Sequence, residues 1–258
     1  MKAMIFAAGL GTRLKPFTDA HPKALAEVCG RPMLGLVIEK LKRCGVSEFV
    51  VNVHHFAGQI VDYLHANSDF GVSIHISDES GCLLDTGGGI LAARRWLDTG
   101  EDFIVHNADI LTDFDVLEMM RSHADCGSDV TLLVADRQTS RYLVFGRDNA
   151  MMQGWTNVQT GQTRPDGFVV TDDMRLLAFG GVHIISPAVF PEIEKFALHY
   201  PTDGGVPKFS IMDFYIDACR HLHINGFRPS KACHWHDIGK PQSLAAAEED
   251  YKNGLIED

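Results

Sequence analysis

The apolar run Met4–Ala8 is short, ends at Gly9, and has the form of a buried strand. Met33–Lys42 then places Leu34, Val37, Ile38 and Leu41 at the i, i+3, i+4, i+7 spacing of a helix with one apolar face, stopped by Gly45. Phe49–Val53 reads as a second buried strand, Ile60, Val61 and Leu64 as the apolar side of a helix, and Val72–Ile76 as a third strand. Gly89–Trp96 predicts a helix, Phe103–His106 a strand, Val116–His123 a helix and Val130–Ala135 a strand. Strand and helix alternating in this way predict an α/β fold. It would be a mostly parallel, twisted sheet with right-handed crossovers and helices on both faces. Ligands of such sheets sit beyond the carboxyl ends of the strands. The loops after Ala8, Val53, Ile76 and His106 are therefore where chemistry is expected.

The second half is less regular. Tyr142–Phe145, Met151–Trp155 and Leu176–Ile185 read as strands, some antiparallel, joined by Gly- and Asp-rich connections. Pro187 opens a helix to about Leu198, because proline suits a first helical turn. A Pro/Gly-rich loop over 200–208, an apolar helix Phe209–Cys219, short strands near Leu222–Gly226 and Ala232–Trp235, and a terminal helix Pro241–Tyr251 follow. No repeat or linker interrupts the pattern, so residues 1–258 are expected to form a single domain with halves 1–135 and 136–258.

Composition narrows the function. A chain of 258 residues, 45% hydrophobic and 22% charged, can bury a core without disulfides and is not of the disordered type. It has no apolar run near the roughly 20 residues of a membrane span, and Met1–Gly9 is too short for a signal peptide. Six scattered cysteines without a CxxC pair fit reduced thiols better than zinc or a disulfide framework, so a cytoplasmic location is expected. A net charge of −11 excludes nucleic-acid wrapping as the main task. Residues 1–31 run the other way: Lys2, Arg13, Lys15, Lys23 and Arg31 face only Asp19 and Glu27, which suits a small anionic ligand.

That basic segment contains Ala7-Ala8-Gly9-Leu10-Gly11-Thr12-Arg13-Leu14-Lys15-Pro16, then Pro22-Lys23. A glycine turn straight after a strand brings backbone N–H groups close to an anion, and Arg13, Lys15 and Lys23 add charge for phosphate oxygens. A bare GxG would be only a tight turn; the preceding strand and the cations behind it favour phosphate. The turn is not a dinucleotide fingerprint, since Leu14 stands where glycine is needed, and not a Walker loop, since Thr12-Arg13 follows Gly11. Val53-His54 supplies no acid to close the second strand, which also disfavours a nicotinamide oxidoreductase. Asp85-Thr86-Gly87-Gly88-Gly89 is either a helix cap or a close backbone approach to a ligand, and the glycines favour the approach. His221/His223 and His234/His236 have the spacing of one strand face; they read as polar surface positions in preference to a zinc site. His54 and His55 end a strand at the ligand edge and are candidate lining residues.

Phe6–Leu25 as a whole resembles the signature of the sugar-1-phosphate nucleotidyltransferases. The resemblance continues in order through Val28–Met33, Asp85–Gly89, Asn107-Ala108-Asp109, Phe179–Pro187 and Trp235–Pro241. The short bacterial members acting on N-acetylmuramic acid 1-phosphate or mannose 1-phosphate are the most similar. The resemblance implies a Rossmann-like nucleotidyltransferase fold, with 1–135 binding the nucleotide and an antiparallel portion in 136–258 binding the sugar. By the same resemblance Ala8 and Gly9 lie against the nucleoside, and Gly11, Thr12 and Arg13 hold the triphosphate. Lys23 acts at the α-phosphate, with Arg13 and Asp109 completing the catalytic group. Gly88 meets base or ribose, Asn107 and Gly181 the sugar, and Asp109 and Asp237 bind Mg²⁺. The implied partners are a nucleoside triphosphate, with UTP favoured, and a sugar 1-phosphate; no nucleic acid, membrane or particular oligomeric state is implied. GTP-dependent mannose-1-phosphate guanylyl transfer, cytidylyl transfer to a non-sugar phosphate, and a silent nucleotide-sugar sensor are the alternatives. The presence of Arg13, Lys23, Asp109 and Asp237 disfavours the sensor. Two departures stand out: Ala108 replaces a frequent glycine, and no Glu-Lys-Pro motif occurs between Ala135 and Gly180. Lys208 and Arg141 are the remaining candidates for the sugar phosphate.

Overall fold

In the computed structural model, which describes residues 1–202 and 205–256, strand and helix alternate as the apolar pattern demands. The first half runs β1 (Lys2–Phe6), a small hairpin of β2 (Glu27–Val28) and β3 (Arg31–Pro32), α1 (Met33–Arg43), β4 (Glu48–Val53), α2 (Ala57–Ala66) and β5 (Ser73–Asp78). It continues with α3 (Asp85–Ala92), α4 (Arg94–Leu97), β6 (Phe103–Asn107), β7 (Ile110–Thr112), α5 (Val116–Asp125) and β8 (Val130–Ala135). Strands β6, β1, β4 and β5 lie side by side and parallel, with Lys2 opposite both Phe103 and Glu48. Their carboxyl ends therefore share one edge.

The second half adds β9 (Arg141–Gly146), β10 (Met152–Asn157), β11 (Gln162–Arg164), the long β12 (Met174–Ile185), α6 (Phe190–Ala197), α7 (Ile211–Ala218), β13 (Ile224–Phe227), β14 (Trp235–Asp237) and α8 (Pro241–Lys252). Strand β12 is antiparallel to β6 along one edge and to β8 along the other. Strand β8 must then run parallel to β6, and its carboxyl end joins the same edge of the sheet. The outer ladder β9, β10, β11 is antiparallel, and β13 pairs parallel to β8, so one ten-stranded sheet spans both halves. The register of β12 shifts between Phe179 and His183, at Gly180-Gly181. A Cβ on Gly181 (φ +78°) would stand 2.7 Å from Ile110 and 3.2 Å from Asn107, so the bend presses backbone onto the turn that follows β6.

Helices cover both faces. Leu34, Val37, Ile38 and Leu41 of α1 pack with Ile60, Leu64 and Met119 on one side. Ile90, Phe190, Ile193, Ile211, Phe214 and Tyr215 pack on the other. A third cluster joins the chain ends: Leu14, Val28, Met33 and Leu36 meet Leu111, Ile238, Ala247 and Ile256. Leu14, the position that rules out a dinucleotide fingerprint, is thus an anchor for the C-terminal segment.

The differences from the pattern are local. The helix expected over Gly89–Trp96 begins at Asp85 and is interrupted between Ala92 and Arg94. Strand β13 starts after His221 and His223, which are exposed and off the strand. The strand near Ala232–Trp235 is Trp235–Asp237, paired with the unpredicted β7. Three-residue strands carry too few positions to display a period.

Candidate active site

A cavity of about 330 Å³ opens at the carboxyl ends of β1, β4 and β6. Phe6, Ala7, Ala8 and Gly9 form one wall, Asn107, Ala108 and Asp109 another, and Lys23, Ala24, Asn52, Glu79, Leu83, Asp85, Thr86 and Lys208 complete it. Of the predicted residues, Ala8, Gly9, Lys23, Asn107 and Asp109 line it. Gly11, Thr12, Arg13, Gly88, Gly181 and Asp237 do not, although several support its rim.

Gly11 holds the first loop in shape. Its φ is +62°, and a Cβ there would lie 2.8 Å from Thr18 and 2.9 Å from the Cβ of Lys23. Thr18 Oγ1 donates to the Gly11 carbonyl at 2.9 Å. This close approach sets Lys23, nine-tenths buried on a short 3₁₀ turn, directly behind the glycine. Lys23 Nζ donates to Asp109 Oδ2 and stands 3.5 Å from Asp237 Oδ1. Asp237 Oδ2 lies 3.7 Å from the exposed Arg13 guanidinium. One lysine from the first loop therefore joins an aspartate from the middle of the chain and another from near its C-terminal end. The third apolar cluster carries them there, and a bond from Ile238 N to the Asp109 carbonyl at 2.8 Å fixes the two loops to each other. Asp237 Oδ1 is buried and accepts no hydrogen bond from the described residues. Lys15, grouped with Arg13 and Lys23 on sequence grounds, instead pairs with Asp19 at 2.8 Å on the surface.

The buried carboxylate of Glu79 was not visible in the pattern. Its Oε1 accepts from Asn52 Nδ2 at 2.8 Å and its Oε2 from the Leu84 N–H at 3.0 Å. Asn52 Oδ1 in turn accepts from the Ala7 N–H at 2.8 Å. The loops after β1 and β5 are thus tied through two side chains under the cavity floor. Burial pushes the Glu79 carboxyl above its ordinary range, opposed by the two donors. A polar residue inside the apolar run Phe49–Val53 was the available signal: a buried asparagine needs a partner.

The triple glycine has a packing role that its composition did not reveal. No side chain caps α3; the N–H groups of Gly87 and Gly88 donate to the Phe209 carbonyl at 2.9 and 3.3 Å. A Cβ on Gly87 would collide with the Phe209 ring at 2.3 Å, and one on Gly88 with the Pro207 carbonyl at 2.4 Å. The glycines admit the 207–209 segment, and that segment brings Lys208 to the cavity. Gly88 faces this segment and not the cavity. Arg141 is exposed at the start of β9. His54 bonds the Glu79 carbonyl at 2.7 Å, and neither it nor His55 lines the cavity. His234 pairs with Asp113 and His236 with Asp250. Among the described residues no three His, Cys, Asp or Glu side chains gather as a metal cluster. No described helix is long and apolar enough to cross a membrane.

The cavity and its rim therefore bring together a glycine loop, the buried Lys23 and the carboxylates of Asp109 and Asp237, an arrangement suited to phosphate groups. A family model described as nucleotidyl transferase matches residues 2–254. The chain is 45% identical over 194 residues to the N-acetylmuramate alpha-1-phosphate uridylyltransferase of Neisseria meningitidis serogroup B, covering 75% of this chain and 79% of that protein. It is 30% identical over 251 residues to the protein of the same name from Caulobacter vibrioides, covering 95% of each. The solved structure of HddC from Yersinia pseudotuberculosis, complexed with GMP-PN, shares the fold with a TM-score of 0.71 at 24% identity, covering 97% of this chain and 99% of that one.

Proposed function

The chain belongs to the nucleotidyl transferase family, and from that membership we propose that it transfers the uridylyl group of UTP to the 1-phosphate of an N-acetylmuramate-type sugar. The observation that carries the reaction type is the meeting of Lys23, Asp109 and Asp237 at the rim of a cavity walled on one side by the first glycine loop. Support for the base and the sugar comes from the two relatives named as uridylyltransferases of N-acetylmuramate 1-phosphate.

The acceptor needs no general base. A phosphate monoester has its second pKa near 6, so its oxygen is already ionised at neutral pH. That oxygen forms a bond to the α-phosphorus as the bond from the α-phosphorus to the β-phosphate oxygen breaks, and pyrophosphate leaves with the electron pair. Catalysis is then positioning and charge neutralisation. The N–H groups of the Ala8–Thr12 loop approach the triphosphate, Arg13 adds charge from the rim, and Lys23 offsets charge that develops at the α-phosphate. In this reading residues 1–135 serve the nucleotide and 136–258 the acceptor, with Asn107 and Gly181 at their junction.

A divalent cation fits the donor set. Asp109 and Asp237 are hard oxygen ligands, and the Asp237 Oδ1 that lacks a hydrogen bond is suitably placed to gain a partner. Mg²⁺ accepts a site of one or two carboxylates completed by water and phosphate oxygens. When bound it neutralises phosphate charge and polarises the phosphoryl oxygens. A cytoplasmic setting agrees with six cysteines that are all free.

The test is a matrix of the four nucleoside triphosphates against N-acetylmuramate 1-phosphate, N-acetylglucosamine 1-phosphate, mannose 1-phosphate and phosphocholine, read by pyrophosphate release with Mg²⁺ present. UTP with N-acetylmuramate 1-phosphate should give the highest kcat/KM. A much higher value for GTP with mannose 1-phosphate would overturn the substrate while leaving the reaction class. Tight binding of nucleotide sugars with no turnover of any pair would overturn the reaction.

A further inference from the structure

Arg137 has no role in the site described above, yet its position points to one. It lies two residues beyond the end of β8, at the sheet edge shared with the carboxyl ends of β1 and β6. Asp109 is likewise two residues beyond the end of β6. Arg137 therefore stands at the same edge of the sheet as Asp109, and Asp237 lies two residues beyond the Trp235 that packs on it.

Its surroundings hold the guanidinium still. It sits over the Trp235 ring, with Cζ 3.8 Å from the ring centroid, and Nη2 donates to the Phe179 carbonyl at 2.9 Å. The Trp235 indole N–H is itself committed to the Gly180 carbonyl at 2.8 Å. Ring, guanidinium and the bend at Gly180-Gly181 form one rigid unit beside Asn107 and Asp237. Unlike Arg13, Arg94, Arg164 and Arg228, which reach carboxylates, Arg137 has a carbonyl and a ring as its described partners. Half burial weakens its hold on the proton, and the negative charge of Asp237 works against that loss. A partly buried guanidinium with most of its fork unused is costly unless an anion meets it.

We propose that Arg137 is a specificity-determining residue that receives an oxyanion of the acceptor, its guanidinium held by the Trp235 ring and the Phe179 carbonyl. The inference rests on the reading of the reaction as transfer to a sugar 1-phosphate. An N-acetylmuramate acceptor carries two such groups, the 1-phosphate and the lactyl carboxylate, and either matches the bidentate fork.

Steady-state kinetics of wild type, Arg137→Met and Arg137→Lys decide the matter, with UTP and either N-acetylmuramate 1-phosphate or N-acetylglucosamine 1-phosphate, which lacks the carboxylate. Arg137→Met should raise the acceptor KM at least tenfold with the UTP KM within twofold of wild type. Arg137→Lys should recover only part of the loss, because an ammonium keeps the charge and not the fork. A rise with both acceptors assigns the phosphate; a rise confined to the muramate assigns the carboxylate. An unchanged acceptor KM, or equal rises in the acceptor and UTP KM, would overturn the proposal. If wild type turns over a different sugar 1-phosphate, the muramate reading fails by itself, and the same comparison on that acceptor still decides Arg137.

Discussion

Replacing Glu79 tests whether the two loops of the nucleotide cavity are joined beneath its floor. Glu79→Ala leaves the half-buried Leu84 N–H and the buried Asn52 amide, bonded to it at 3.0 and 2.8 Å, without acceptors. Each unpaired buried donor costs about 1–3 kcal/mol, so the variant should lose about 2–6 kcal/mol. That is a large part of a typical folding free energy of about 5–15 kcal/mol, so the variant should fold yet melt early. Glu79→Gln keeps the shape and one acceptor but turns an NH₂ toward a donor, and should lose about half as much. Asn52→Ala unpairs the Ala7 N–H, and the two single losses should not add, because one chain of bonds runs through both residues. Urea denaturation of the four proteins of this double-mutant cycle gives the coupling, with UTP and acceptor KM measured alongside. Release of the Ala7–Gly9 wall should raise the UTP KM about tenfold, the equivalent of about 1.4 kcal/mol, with the acceptor KM less affected. A Glu79→Ala protein within about 0.5 kcal/mol of wild type and with an unaltered UTP KM would refute the reasoning, since such a change is ordinary for a surface substitution.

Gly11→Ala forces a Cβ into contact with Thr18 and Lys23 at a left-handed backbone, and should cost about 1–2 kcal/mol from the backbone alone, with kcat lowered as Lys23 shifts; thermal melts and single-turnover rates check both. Lys23→Ala should lower kcat more than it raises the UTP KM, whereas Arg13→Ala should chiefly raise the UTP KM; equal small effects would make the loop a surface turn. His106 and His183 are fully buried, and burial lowers their pKa values to about 4 and about 3, from about 6.5 in the unfolded chain. The unfolded state takes up these protons first, so the stability is full above about pH 6.5 and falls as pH drops toward 4, by about 2 kcal/mol per histidine at pH 5. Denaturation midpoints that do not move between pH 7 and 5 would contradict this.

The parallel half of the sheet was legible because its strands are apolar runs and α1 has a clean helical period. The glycine turn after β1 could be located for the same reason, and Lys23 and Asp109 followed from the motif. Asp237 could be found only through the family resemblance: nothing local marks it, and its placement depends on Leu14, Ile238 and Ala247 packing the chain ends together. The packing role of Gly87 and Gly88 was not legible, because a glycine that admits a neighbouring segment and one that admits a ligand look alike in sequence; the positions of Pro207 and Phe209 reveal the first. Glu79 and Arg137 were missed because their meaning lies in partners from other strands, Asn52 for one and Trp235 for the other.

That residues far apart in the chain, Asp109 in its middle and Asp237 near its C-terminal end, form a single reaction centre is tested most directly by turnover against Mg²⁺ concentration in Asp109→Asn, Asp237→Asn and the double variant. Asn keeps the shape and removes one charge, and both side chains are partly exposed, so folding should persist in all three. Each single change should steeply lower turnover and raise the Mg²⁺ needed for half-maximal rate, and the double variant should be little worse than either, because groups serving one ion do not act independently. Multiplicative losses, or an Asp237→Asn enzyme with unchanged Mg²⁺ dependence, would contradict a shared centre and leave Asp109 to work without Asp237.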